Sequence, residues 1–276
     1  MANVFSLSLA FALIGLNVYL STRVLNVTDL TCDASVALGG CIYGALLGCS
    51  MSPLIAFSFV AFSGLLAGLS TSYIVAHVKI EPVLASIITL TALQTFIAKL
   101  ATVGCTIVPR GLTSSPSSAV YNFAFVLAIV LTICVLFFRM LNSEYGLAMR
   151  VYGDGKIISE SLGINTNQIL SMGLGIGNAL SAIAGALIAQ ITSNFSSGMG
   201  GGSLVFGLAS VIIGEKILAP RNTKMAISGC LIGAIIYKII IETITYSGSE
   251  YNNAIMAVVL ILLMILIQDS RKLERK

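Results

Sequence analysis

The residues that could do chemistry in this sequence are few, and they sit inside apolar runs. Lys99, Lys238 and Glu242 are charged, while Thr89, Thr91, Gln94, Thr95, Asn178 and Gln190 are polar but neutral. A charge near the centre of a bilayer costs roughly 2.5 to 3.5 kcal/mol on insertion scales, so intramembrane polar groups are functional candidates by default. Lys238 and Glu242 stand four residues apart on one helical face and either neutralise each other or serve transport. Lys99 falls near the end of its run and can snorkel. Thr89, Thr91, Gln94, Asn178 and Gln190 suit a path for a polar solute, and suit interhelical hydrogen bonds equally. Catalytic patterns are missing: there is no HExxH, no GxSxG, and the single histidine, His77, has no adjacent nucleophile. Six cysteines without a CxxC pair, beside one histidine, cannot assemble a zinc framework, so they read as small apolar packing residues. Neither a metal nor a cofactor is expected, and the chain does not read as an enzyme. The glycines Gly198, Gly200, Gly201 and Gly202 lack the Lys-Ser/Thr closure of a phosphate loop and read as a sharp turn into a broken helix.

Composition says what must hold these residues. Of 276 residues 57% are apolar and only 9% are charged, against about 25% charged in an ordinary soluble domain. The net charge of +4 is not gathered into any soluble footprint, which argues against nucleic acid. Apolar segments run over Val4–Leu20, Ser35–Cys49, Pro53–Val75, Pro82–Val103, Val120–Phe138, Gln168–Ile191, Ser203–Leu218, Met225–Tyr246 and Asn253–Ile267. A crossing needs roughly 20 helical residues, so nine crossings would use most of the chain. The first run has no basic residues before it and reads as a retained helix. The expectation is an all-α, polytopic transmembrane helical bundle, a single domain over 1–276 surrounded by lipid.

Basic residues favour the cytoplasmic side. With the N-terminus out and the C-terminus in, twelve basic residues fall inside and only Arg110 outside. If Ser203–Leu218 failed to cross, the split would become five inside and eight outside. Nine crossings therefore fit better. The longest internal loop is then 141–167, where Gly155 and Gly163 bracket about two helical turns carrying Ile157, Ile158 and Leu162. It reads as the one internal helix with polar and apolar faces, either a docking element or an ordinary interfacial helix. In the run that follows, small residues recur every fourth position at Gly173, Gly177, Ser181, Gly185 and Ala189. That spacing lets backbones approach closely, which is what helix association in lipid rewards.

Three stretches carry a family resemblance. The first is Asp29-Leu30-Thr31-Cys32-Asp33-Ala34-Ser35 with Leu38 and Gly39. The second is Arg150, Gly153, Asp154, Gly163, Ile164, Asn165 and Thr166, leading into Asn178-Ala179-Leu180, Gly185-Ala186-Leu187 and Gln190. The third is Gly198-Met199-Gly200 followed by the run from Gly207 to Glu215. Together they resemble the permease subunit of bacterial ABC importers in the branched-chain amino acid and ribose permease family, above all its branch for tryptophan or tyrosine uptake. Cys32, Ala34, Gly155 and the region 94–108 depart from that pattern.

The resemblance implies a homodimeric permease in the bacterial cytoplasmic (inner) membrane. It would carry a small polar solute, an amino acid or a related molecule, without binding ATP itself. Two cytoplasmic ABC ATPase subunits would dock on the internal loop through Arg150, Gly153, Asp154, Ile157, Glu160 and Gly163, and an extracytoplasmic solute-binding protein would deliver the solute. The competing class is an ATP-independent secondary carrier or channel, which would more often show internal repeats and ion-coupling charges. If nine crossings hold, a cysteine at Ser249 is expected to react with an impermeant thiol reagent from outside, and one at Ser159 only after permeabilisation. Reaction of both from one side would overturn the order.

Overall fold

A computed structural model describes residues 2–102, 118–219 and 222–246. The ninth apolar run, Asn253–Ile267, lies outside the described residues, as do Arg110, Ser249 and the basic tail. The helices are α1 (Ala2–Tyr19), which continues as a wider π-turn over Leu20–Val24, α2 (Thr31–Gly48), α3 (Pro53–Val78), α4 (Pro82–Thr102) and α5 (Ser118–Leu141). They are followed by α6 (Glu144–Asp154), α7 (Lys156–Ser161), α8 (Thr166–Thr192), α9 (Ser203–Leu218) and α10 (Thr223–Tyr246). No β-strand occurs among the described residues. Among the described residues seven helical segments are long and apolar enough to cross a membrane, α1 with its π-turn and α2, α3, α4, α5, α8 and α10. The chain is a multi-pass helical membrane protein.

Local chemistry sets several helix starts. Pro53 and Pro82 open α3 and α4, where a missing amide costs nothing. Asn165 caps α8 by accepting from the Gln168 amide (3.3 Å). The second apolar run begins as a helix at Thr31, four residues before its hydrophobic pattern does, because the Asp29 carboxylate accepts the Thr31 amide (2.9 Å).

α8 is the central helix and packs against α1, α2 and α3. Its partners form a ladder. On the α1 side Gly173 meets Leu25, and Gly177 and Ser181 meet Asn17. On the α2 side Asn178 pairs with Ser35, Gly185 lies on the Val36 backbone, and Gln190 meets Tyr43. On the α3 side Leu174 faces Gly68 and Ala182 faces Gly64. The order of these pairs makes α8 antiparallel to α1 and α3 and parallel to α2. The small-residue stripe of α8 therefore faces α1 and α2.

α9 is a shorter helix of 16 residues, about 24 Å at 1.5 Å per residue. It runs parallel to α1, through Phe11–Phe206 and Arg23–Glu215, and antiparallel to α10, through Gly214–Gly229 and Gly233–Ser210. Its start does not lie at the end of α8. After Thr192 the chain folds back along α8, burying Phe195 against Gly40 and setting Gly200 on the Asp33 backbone. Gly202, at φ +82°, makes the left-handed turn that starts α9. α9 thus begins about midway along α8.

A Cβ on Gly185 would collide with the backbone of Val36, whereas one on Gly48 would meet open space. Gly185→Leu is expected to lower thermal stability in detergent by at least the roughly 1–3 kcal/mol typical of overpacking, and Gly48→Ala to leave it unchanged. Equal melting of the two variants would show that α8 and α2 are not in backbone contact.

Candidate functional site

The polar atoms of the bundle converge where α2 begins, beside the midpoint of α8. Asp29 is only 1% exposed. Its Oδ1 accepts the Thr31 amide and its Oδ2 accepts Asn178 Nδ2 (2.6 Å). Asn178 is fully enclosed and spends every polar atom: Nδ2 also donates to the Leu174 carbonyl (3.0 Å), and Oδ1 accepts Ser35 Oγ (2.7 Å). One turn along, Asn17 Nδ2 donates to Ser181 Oγ (2.7 Å), which also lies 3.2 Å from Cys32 Sγ. Thr31 Oγ1 and Thr71 Oγ1, 2.8 Å apart, tie the same level to α3. Among the described residues Asp29 has no ion pair. Its carboxyl oxygens are satisfied by hydrogen bonds alone, and a polar group buried this way is tolerable only while each bond is kept.

Asp33, one turn into α2, reaches across to α9. Its carboxylate accepts the amides of Gly202 (3.1 Å) and Leu204 (2.8 Å), so it caps the N-terminal end of α9 from another helix. The other end of α9 is held by Arg23 Nη2, 2.6 Å from Glu215 Oε2.

The segment 141–167 is more helical than its sequence pattern indicates. α6 precedes α7, so 155–163 is not its only helix. Gly146 and Gly153 obscured α6 in the sequence, since glycine weakens a helix. In the fold each has a reason: Gly146 lies on the Leu141 backbone and Gly153 on the Val24 carbonyl, where no side chain fits. Arg150 anchors α6 by donating to Thr223 Oγ1 (2.8 Å), at the start of α10. α7 follows Gly155 and ends before Gly163. Its Ile157 is 83% exposed, Glu160 is exposed and 3.9 Å from Lys156, and Asp154 is exposed at the end of α6. Behind α7 lies a cavity of about 460 Å³, lined by Lys79, Tyr152, Lys156, Glu160 and Asn167 among others. Burial raises the Tyr152 pKa above its ordinary value, so its hydroxyl stays a neutral donor there.

The five residues read as a solute path are not gathered. Asn178 and Gln190 lie on α8 and bond to α2, the latter through Tyr43 (3.0 Å). Thr89 is buried on α4 and donates to the Ala85 carbonyl (3.0 Å). Thr91 and Gln94 stand on the exposed face of α4. Lys238 and Glu242 pair at 3.5 Å, and Lys238 also lies over the Phe11 ring. The sequence alone marks Asp29 and Asp33 only as part of the family resemblance, and Asn17 not at all. The available signal was two carboxylates four residues apart at the mouth of an apolar segment.

Residues 1–267 match the family model described as branched-chain amino acid transport system / permease component. The chain is 28% identical over 237 residues to the tyrosine transport system permease protein of Clostridioides difficile, covering 86% of this chain and 80% of that protein. It is 22% identical over 249 residues to the ribose import permease protein RbsC of Haemophilus influenzae, covering 88% and 76%. A galactofuranose transporter permease protein, YtfT of Escherichia coli, is 25% identical over 223 residues, covering 73% and 65%. Among solved structures, an ABC transporter assigned to the metal-chelate type, in an inward-facing conformation, superposes with a TM-score of 0.54 at 12% identity. The match covers 98% of this chain and 84% of that one. This last likeness concerns the fold.

Removing the Asn178 side chain would leave Asp29 Oδ2 buried without a partner. Asn178→Ala is expected to cost more than the roughly 1–3 kcal/mol of an unsatisfied neutral group. The double variant with Asp29→Ala should lose less than the sum of the two single losses. Thermal unfolding in detergent measures this, and strict additivity would show that the pair does not interact.

Proposed function

The chain belongs to the family of branched-chain amino acid transport system permease components, and from that membership we propose that it is the membrane subunit of an ATP-driven importer of the ABC type. The proposed cargo is a small polar solute, an amino acid or a close relative. The match of the family model over 1–267 carries this reading, and the tyrosine transport relative supports the solute class. In the proposal the whole of 1–276 is one membrane domain with its N-terminus out, paired with a second copy in the bacterial cytoplasmic membrane. An extracytoplasmic binding protein hands solute to the pair, and cytoplasmic ATPase subunits drive it. Thr91 and Gln94, on the outer face of α4, are available to a route shared with the second copy. Asn178, Gln190 and Thr89 act in packing.

The coupling element of this proposal is α6 with α7. A docking element must be exposed at its tip and rigid at its root. Ile157 and Glu160 supply the tip, and the root is supplied by Arg150 against Thr223 and Gly153 against Val24. Movement of α6 would reach the inner end of α1 directly, because Val24 belongs to its π-turn. Asp154 and Gly163 set the two joints on either side of α7.

The test is co-purification with the ATPase subunits, followed by ATP-dependent uptake in proteoliposomes containing the binding protein. Glu160→Lys is expected to leave insertion intact and to weaken ATPase binding more than tenfold, as loss of a buried interfacial charge contact costs about 2–5 kcal/mol. Gly153→Leu should keep binding but lose the coupling of hydrolysis to uptake, since it displaces α6 from α1. Wild-type binding and uptake in both variants would locate coupling elsewhere, and uptake without ATP would favour a secondary carrier.

A further inference from the structure

Between the π-turn and α2 the chain runs without helix inside the bundle. Leu25, Val27 and Asp29 are buried, while Asn26 and Thr28 between them are exposed; Asn26, at φ +55°, makes the left-handed turn that ends the π-turn. The depth of this stretch follows from its neighbours. Leu25 faces Gly173 and Asp29 faces Asn178, so it climbs to a point twelve residues, or about 18 Å, along α8. Leu25 and Val27 return their amides to the Leu20 and Ser21 carbonyls (2.9 and 2.8 Å). The amides of Asn26 and Thr28 have no partner among the described residues.

Non-helical backbone at membrane depth does not face hydrocarbon; it is buried in protein or lines a water-filled space. Asn26 and Thr28 are not buried in this chain, and both carry side chains that favour water. The stretch is also held in place. Arg23 at its start is fixed to Glu215 and Asp33 beyond its end is fixed to Gly202 and Leu204, so its two ends are tied to the two ends of α9. α9 adds Val205, exposed, with Leu208 and Ile212 half-buried.

We propose that Asn26 and Thr28, with the outer face of α9 beside them, form a wall of the water-filled solute route. This rests on the transport reading and names the surface on which solute is selected. The wall offers neutral hydrogen-bonding side chains and free backbone amides. Its charges cancel: Arg23 is paired with Glu215, and Asp33 is matched by the two amides at the positive end of α9. Such a wall suits a polar solute of zero net charge, such as a zwitterion, and gives a net anion or cation no partner.

The test uses Asn26→Cys and Thr28→Cys in a cysteine-free background that still binds the ATPase, reconstituted in proteoliposomes. An impermeant cationic methanethiosulfonate reagent is applied from one face at a time, before and after trapping nucleotide with vanadate. Phe59→Cys, on the exposed apolar face of α3, serves as the lipid-facing control and Ser161→Cys, exposed on α7 where Ser159 is buried, as the cytoplasmic one. Both test positions are expected to react at least tenfold faster than Phe59→Cys, and trapping should lower the rate from one face while raising it from the other. Reaction no faster than Phe59→Cys would overturn the wall. So would reaction from the cytoplasmic face alone, unchanged by trapping and equal to that of Ser161→Cys, in vesicles that do trap nucleotide. If wild-type vesicles trap no nucleotide, the ATP-driven reading falls, and reaction of Thr28→Cys from both faces would still support the wall.

Discussion

A carboxyl group enclosed in a helical membrane bundle, with no cation beside it among the described residues, constrains everything around it. Asp29 meets that constraint with the Thr31 amide and the Asn178 carboxamide, and each partner fixes a larger element. The first sets where α2 starts. The second sets the rotation and height of α8, because Asn178 also holds Ser35 and the Leu174 carbonyl. Once α8 is fixed in rotation, its small residues face α1 and α2, and the close approaches at Gly177 and Gly185 follow. Hydrogen bonding and backbone contact thus select the same arrangement, and dispersion between close backbones replaces the hydrophobic drive that lipid cannot supply.

The same logic reaches α9 from a distance. A helix that begins halfway along its neighbour exposes four amides where water is scarce, and Asp33 takes up two of them from α2. The other end is tied to α1 by Arg23 and Glu215. α9 therefore bridges the end of α1 and the start of α2, and the non-helical stretch between those helices is held because α9 is a rigid spacer between its two ends.

Much of this architecture could be read from the chain alone. The eight apolar runs that fall among the described residues match helices to within a few residues, because a membrane imposes length and hydropathy together, and the stripe from Gly173 to Ala189 marks a face that packs closely on α1 and α2. Other features could not be read. α6 was hidden by Gly146 and Gly153, whose use is tertiary. Asp29 and Asn178 are 149 residues apart, so nothing local tells that the acid near an apolar mouth meets the amide in a distant span. The candidate path failed to gather for the same reason: Thr91 and Asn178 look equivalent as polar residues in apolar runs, and only packing makes one outward-facing and the other enclosed. Asn26 and Thr28 lay in a short gap between runs, where a loop in water and an unwound segment in a bundle have the same sequence signature.

The non-helical stretch from Leu25 to Asp29 has a further consequence, for how this chain can diverge. Its two ends are moored to a helix whose length is set by 1.5 Å per residue, and Asn26 holds a left-handed backbone at φ +55°. One residue inserted or deleted there would pull either Arg23 or Asp33 from its mooring. Substitution at Thr28 disturbs neither mooring, whereas at Asn26 it favours glycine and the few residues that accept that backbone. A lineage built on this fold can therefore vary Thr28 freely while the length of the stretch stays frozen.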